Sequence, residues 1–198
     1  ADKAYRCTVR FGIRTTTADA EGEVLTDQPV PTLTRQAVEA VLPEFIGQIE
    51  QVPPMYSALK YQGTPLYKLA REGVEIERAA RKVSIYRLVL LGFRSGDYPE
   101  ADIEVHVSKG TYIRTLAEDM GEKLACGAHV SALRRIKAGQ FEAAACITLD
   151  QLVALRGDDE AGMSQLDRLL LPVEAVLEHL QAVTVPESLG SYLRQGQP

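Results

Sequence analysis

Residues 3 to 11 alternate without a break, with Tyr5, Cys7, Val9 and Phe11 on one side and Arg6, Thr8 and Arg10 on the other. A period of two marks a β-strand with one face buried and one face wet. Such a strand persists only in a sheet whose apolar face is covered by a second layer, so the chain must supply partner strands and a helix to lie over them. Residues 83–93 and 101–108 read as two such partners, the second alternating Ile103, Val105 and Val107 against Glu104, His106 and Ser108, with Gly96-Asp97 as the turn between them. From Thr111 to Leu124, the residues Ile113, Leu116, Ala117, Met120 and Leu124 fall at i, i+3, i+4, i+7 and i+11, the apolar stripe of a covering helix.

The remaining segments extend the pattern. After Gly12, the polar run through Thr15, Thr16, Thr17, Asp19 and Gly22 predicts a long hairpin or excursion that returns at Glu23-Val24-Leu25. A helix starting at Thr32 or Thr34 places Leu33, Ala37, Val38, Val41 and Leu42 on one side and is limited by Pro43. Two prolines stiffen the loop Gln51-Val52-Pro53-Pro54-Met55-Tyr56-Ser57-Ala58-Leu59-Lys60, and Pro65 opens a short helix over Leu66 to Glu72 that Gly73 ends. His129 to Phe141 reads as basic and extended, Thr148-Leu149-Asp150-Gln151 as a capping box, and Glu174 to Leu180 as a last helix. This order predicts an α+β fold, a mixed, largely antiparallel sheet flanked by helices.

Composition removes several classes. With 45% hydrophobic and 25% charged residues the chain is ordinary globular material, not a disordered, collagenous or coiled-coil sequence. No apolar run is long enough for a membrane span. Cys7, Cys126 and Cys146 are odd in number and lack C-x-x-C spacing, which predicts neither a disulfide framework nor a zinc site and points to a reducing, cytoplasmic setting. His106, His129 and His179 are scattered, and P-loop, dinucleotide and nucleophile-elbow patterns are missing, so no metal and no cofactor are expected. The formal net charge is −5, yet residues 56–137 carry 14 basic against 10 acidic side chains. That segment is either an anion-binding face or a solvated surface of mixed charge.

The run Ser108-Lys109-Gly110-Thr111-Tyr112-Ile113-Arg114-Thr115 joins a strand to a helix. One reading makes Thr111 the N-cap and pairs Arg114 with Glu118 one turn on. The helix dipole, however, disfavours a guanidinium in the first turn, so Arg114 calls for an anion nearby. Tyr5 is by position either a core ring with its hydroxyl at the rim or a stacking platform at a cleft edge. Arg134, Arg135 and Lys137, like Lys60, Lys68 and Arg71, suit a solvated face or phosphate contacts equally well.

Five runs taken in order carry a resemblance: Lys3-Ala4-Tyr5-Arg6; Gly12 with Thr15, Thr17, Asp19 and Gly22; Gln51 to Lys60; Ser108 to Thr115; and Gly127-Ala128-His129-Val130-Ser131-Ala132-Leu133-Arg134-Arg135. Together they closely resemble the TruB family of bacterial tRNA pseudouridine synthases over nearly the whole chain. The resemblance implies the pseudouridine synthase fold with a central cleft, isomerisation of uridine 55 in the T loop of tRNA, and neither cofactor nor metal. It also implies that Tyr5 stacks on the flipped uracil, Arg114 pairs with the catalytic aspartate, Tyr112 and Leu133 line the nucleotide pocket and Lys60 lies near the cleft. The expected partner is the tRNA T stem-loop, with no membrane involved and a monomeric protein.

In that family the catalytic aspartate stands in a Gly-Thr-Leu-Asp-Pro run ahead of the Lys3 motif, and the 198 residues contain no such run. Asp2, Asp19, Asp119 and Asp150 belong to other motifs and are not taken as nucleophile. The chain is expected to be an internal piece of a longer protein. Residues 1–182 would be a partial catalytic domain, and 183–198 the start of a truncated C-terminal PUA-like module. Alone, it is expected to be inactive. The alternative is a non-catalytic tRNA-binding or tRNA-folding module.

Overall fold

The alternating segment becomes β1 (Lys3–Phe11), an interior strand of a six-stranded sheet. The structure is a computed structural model and describes residues 1–156, 160–177, 180–181 and 183–196. In chain order, β1 is followed by β2 (Ile13–Thr15), β3 (Val24–Asp27), α1 (Arg35–Val41), β4 (Gly47–Gln51), β5 (Lys60–Tyr61) and β6 (Thr64–Pro65). Then come α2 (Leu66–Arg71), β7 (Arg81–Arg94), β8 (Glu100–Val107), α3 (Ile113–Lys123), β9 (Ala128–Ala138) and β10 (Phe141–Glu142). The large sheet runs β10-β9-β1-β8-β7-β4, while β2 with β3 and β5 with β6 form two-stranded ribbons. Every ladder among the described strands is antiparallel, and the parallel component of the expected mixed sheet is a single bridge between Asp19 and Val130.

The apolar side of β1 does what its period predicts. Tyr5, Cys7, Val9 and Phe11 are buried together with Ala101, Ile103, Val105 and Val107 of β8 and with Ile113, Leu116, Ala117 and Met120 of α3. Burying each large side chain of this set contributes about 1.5–3 kcal/mol. α3 begins just after Val107, which pairs with Lys3, and ends against Ala128, which pairs with Phe11. Its first turn therefore lies toward the Tyr5 end of β1. At the other end Gly121 permits close packing, because a Cβ there would stand 2.3 Å from the backbone nitrogen of Ala128.

Local signals place the smaller elements well. Thr34 caps α1 by accepting from the Ala37 N–H at 3.2 Å, and Pro43 starts a 3-10 turn over Leu42–Phe45 instead of a longer helix. The expected excursion is the β2–β3 ribbon with its intervening loop.

The chain divides into two compact units, Ala1–Ala145 and Cys146–Pro198. The second contains α4 (Leu149–Arg156), α5 (Glu160–Asp167) and α6 (Glu187–Arg194). At α4 the capping box is complete: Gln151 N–H donates to Thr148 Oγ1 at 3.2 Å, and Thr148 N–H donates to Gln151 Oε1 at 2.8 Å. The expected helix over Glu174 to Leu180 is instead a 3-10 segment over Val173–Leu177, and Glu178 and His179 lie outside the described residues. The expected boundary after residue 182 falls within this second unit, and Ala182 also lies outside the described residues. Among the described residues no helix is long and apolar enough to cross a membrane.

Candidate active site

The polar run after β2 folds around one carboxylate. Thr15 Oγ1 donates to the Asp19 carbonyl at 2.7 Å, while the Thr17 hydroxyl and the Glu21 N–H both donate to Asp19 Oδ1, an Asx-type turn. Gly22 closes it, since a Cβ at that position would stand 2.4 Å from Thr17 Oγ1 and 2.7 Å from the Thr17 nitrogen. The Val130 N–H donates to the Ala18 carbonyl at 3.0 Å, which pins the loop to β9.

This loop presents Asp19 Oδ2 to Arg114, whose Nη1 donates to it at 2.9 Å and to the Thr17 carbonyl at 3.1 Å. From the other side, Arg114 Nη2 donates to the Tyr56 carbonyl at 2.6 Å. The anion that the helix dipole calls for is thus Asp19, reached across 95 residues of sequence. The i+4 pairing with Glu118 is not made. Glu118 instead sits beside Asp119 and Glu122 in a pocket with Arg14, and burial pushes its carboxyl up against the pull of Arg14 and Arg114. The N-cap expectation is corrected too: Thr111 Oγ1 donates back to the Ser108 carbonyl at 3.0 Å, closing the turn that Gly110 (φ +86°) makes, and Tyr112 takes the cap position.

Tyr112 is held by a residue that sequence reading left inside a motif without a role. Its N–H donates to Gln51 Oε1 at 3.0 Å, and Gln51 Nε2 donates to its carbonyl at 3.3 Å. The stiff loop after Gln51 thus touches the start of α3 twice, at Tyr112 through a side chain and at Arg114 through the Tyr56 carbonyl.

Tyr5 lies on the α3 side of the sheet and is 9% exposed. Directly across the ladder stands Arg135, its guanidinium 5.6 Å from the Tyr5 ring centroid, a cation–π contact. Leu133 pairs with Cys7 two residues along, on the same side, and is 47% exposed. Arg114 and Tyr112 are therefore joined through the Gln51–Tyr56 loop, and Tyr5, Arg135 and Leu133 form a second cluster on β1 and β9. Lys60 is exposed on the β5–β6 ribbon, in a pocket with Pro53, Tyr61, Arg78 and Arg81.

Burial, reinforced by Asp102, pushes the Cys7 thiol up to about 12, so it is not a nucleophile at neutral pH. Asp119 is raised to about 6, first by burial and then by Glu118 and Glu122. Among the described residues no group of three or more His, Cys, Asp or Glu side chains is placed to hold a metal ion.

Residues 1–113 match the family model for the TruB family pseudouridylate synthase N-terminal domain, and residues 114–178 match that for the tRNA pseudouridylate synthase B C-terminal domain. The chain is 53% identical over 198 residues to tRNA pseudouridine synthase B of Stutzerimonas stutzeri strain A1501, covering all of this chain and 63% of that protein. It is 48% identical over 197 residues to the protein of the same name from Coxiella burnetii strain Dugway 5J108-111, of which it covers 62%. The chain thus spans less than two thirds of the length of these relatives. Among solved structures, a chain of a Cbf5-Nop10-Gar1 complex superposes with a TM-score of 0.72 at 27% identity, covering 99% of this chain and 49% of that one. With a family model matching more than half of its length, the chain belongs to the TruB family of pseudouridylate synthases.

Proposed function

We propose that this chain supplies most of the machinery that converts uridine 55 in the T loop of tRNA to pseudouridine. In that isomerisation the N1–C1′ bond breaks, the uracil turns, C5 bonds to C1′, the C5 proton leaves and N1 gains one. Neither metal nor cofactor enters the balance. The observation that carries the reading is Arg114, fixed by Asp19, the Thr17 carbonyl and the Tyr56 carbonyl. Three of its five N–H groups are committed there. The Nε–H and one Nη2–H are left among the described residues for a second carboxylate, the aspartate that the resemblance puts in a Gly-Thr-Leu-Asp-Pro run. A guanidinium already anchored at three points holds that carboxylate ionised and oriented at little entropic cost.

The flipped uracil takes the place of the Arg135 guanidinium against the Tyr5 ring, with Leu133 and Tyr112 beside it. Released from the ring, Arg135 turns to phosphate, and Lys60 contacts RNA from the β5–β6 ribbon. On this reading the 198 residues alone do not turn over uridine. The protein works as a monomer in the cytoplasm, and residues 183–198 lead into a PUA-like module.

Replacing Tyr5 by Leu in the complete enzyme tests the platform. Turnover of a T stem-loop is expected to fall about a hundredfold, while affinity changes by less than about tenfold because phosphate contacts carry most of the binding. Activity falling only in step with affinity would make Tyr5 a core residue and remove it from the site.

A further inference from the structure

We infer that Gln51 is a positioning residue for the uridine pocket, setting the Cα–Cβ direction of Tyr112 by holding both polar groups of its backbone. The inference rests on the reading of Tyr112 as a pocket residue. Tyr112 sits where the Ser108–Thr111 turn becomes α3, in extended conformation (φ −103°, ψ 114°) and with no side-chain cap of its own. Its carbonyl already accepts the first helical bond, from the Leu116 N–H at 3.1 Å. Its N–H precedes the helix and has no helical carbonyl to use. Gln51 Oε1 supplies that acceptor at 3.0 Å, and Gln51 Nε2 adds a second donor to the carbonyl at 3.3 Å. Fixing the peptide planes on both sides of one Cα fixes the Cα–Cβ direction, and with it the point from which the ring swings in its few staggered rotamers.

A primary amide of this length does both jobs at any pH. A carboxylate offers two acceptors and no donor, and Asn is one methylene too short. Gln51 is itself 3% exposed and is the last residue of the edge strand β4, paired with Arg81 of β7. The two prolines that follow keep the segment from slackening between Gln51 and Tyr56, whose carbonyl holds Arg114. One short stretch thereby sets the spacing between the pocket ring and the guanidinium. A displacement of about 1 Å at such a point can cost about a hundredfold in rate.

The test uses Gln51→Glu in the complete enzyme, with a T stem-loop transcript as the probe. The ionisable groups on the elements packed about it include Arg81, its partner across β4 and β7, the Tyr112 and Tyr56 phenols, and Arg114 with the Asp19 that it holds. Buried at this position, the introduced carboxyl would carry its own titration into the range between about pH 5 and 8. Protonated, it mimics the amide, donating to the Tyr112 carbonyl and accepting from its N–H. Ionised, it repels the carbonyl. The expected result is a single-turnover rate near wild type at low pH and about tenfold or more below it at pH 8, with RNA affinity unchanged. The Tyr112 amide resonance should follow the same titration. Gln51→Met, of similar volume without either bond, should be slow at every pH.

A rate profile parallel to wild type while the Tyr112 amide titrates would overturn the inference, because the tie would be structural only. So would a Tyr112 amide that ignores the titration. Wild-type enzyme that leaves the T stem-loop unmodified, or Tyr112→Leu at full rate, would instead defeat the functional reading. In that case the amide titration still decides whether Gln51 holds Tyr112.

Discussion

Arg94 and Arg114 both hold carboxylates, and they differ in what surrounds the pair. Arg94, near the end of β7, reaches Glu100 at 3.0 Å and Asp102 on the adjacent β8, partners six and eight residues away on the same hairpin. Its side chain is 52% exposed, and the pair sits on the wet face of the sheet. Arg114 is less than half as exposed and ties together segments 58, 95 and 97 residues away, two of its three acceptors being backbone carbonyls. The first arrangement follows from strand pairing and is screened by water. The second exists only because two loops converge on the start of a helix. An ion pair therefore says little by itself, whereas the sequence distance it spans and the backbone it recruits say a good deal.

The largest test of this contrast is Arg114→Lys in the complete enzyme. A lysine is a point charge and cannot serve Asp19, the Thr17 carbonyl and the Tyr56 carbonyl together. Turnover is expected to fall about a hundredfold. Thermal stability should fall modestly, since two loops lose a shared anchor. An unchanged rate would put Arg114 in the same class as Arg94.

A second test concerns a carboxylate flanked by acids instead of a guanidinium. Asp119 titrates near 6 in the folded protein against 3.8 as its ordinary value. The folded state therefore holds the proton more tightly than the unfolded chain does. The stability tied to this group is fully present below pH 3.8 and is lost as the pH rises through 6. Asp119→Asn should accordingly stabilise the protein at pH 7 by about 1 kcal/mol, a figure already reduced for the solvent that screens a partly exposed group. The gain should vanish below about pH 4. Chemical denaturation at the two pH values measures it, and a mutant less stable at pH 7 would contradict it.

The smallest effect belongs to Arg94→Gln. Asp102 is held below the usual carboxylate range mainly by Arg94, yet both side chains stay substantially solvated. Melting temperature and turnover should match wild type within error. A measurable loss of turnover would show that the wet face of the sheet takes part in function.

The features legible in sequence are those whose cause lies within a few residues. Alternation placed β1 and β8, the i, i+3, i+4 stripe placed α3, and Thr34 and the Thr148–Gln151 pair marked helix starts that the structure uses. The local reading offered Glu118 to Arg114, whereas the dipole argument demanded another anion without naming it, because nothing in the spacing says that the Thr15–Gly22 loop arrives at α3. The clue was present as Thr15, Thr17 and Asp19 at i, i+2 and i+4 followed by Gly22, a pattern that folds a loop about its own carboxylate. Gln51 on Tyr112 and Arg135 on Tyr5 are likewise long-range contacts, separated by 61 and 130 residues, and periodicity carries no information about them.

Mapping pseudouridine in a T stem-loop after incubation with the protein that carries this chain and the sequence preceding it in its gene tests the central claim most directly. The expected result is pseudouridine at uridine 55, lost in Arg114→Lys although the RNA still binds, and no product from the 198 residues alone. RNA that binds the complete protein tightly and emerges with its uridine intact would contradict the claim and make this a binding module.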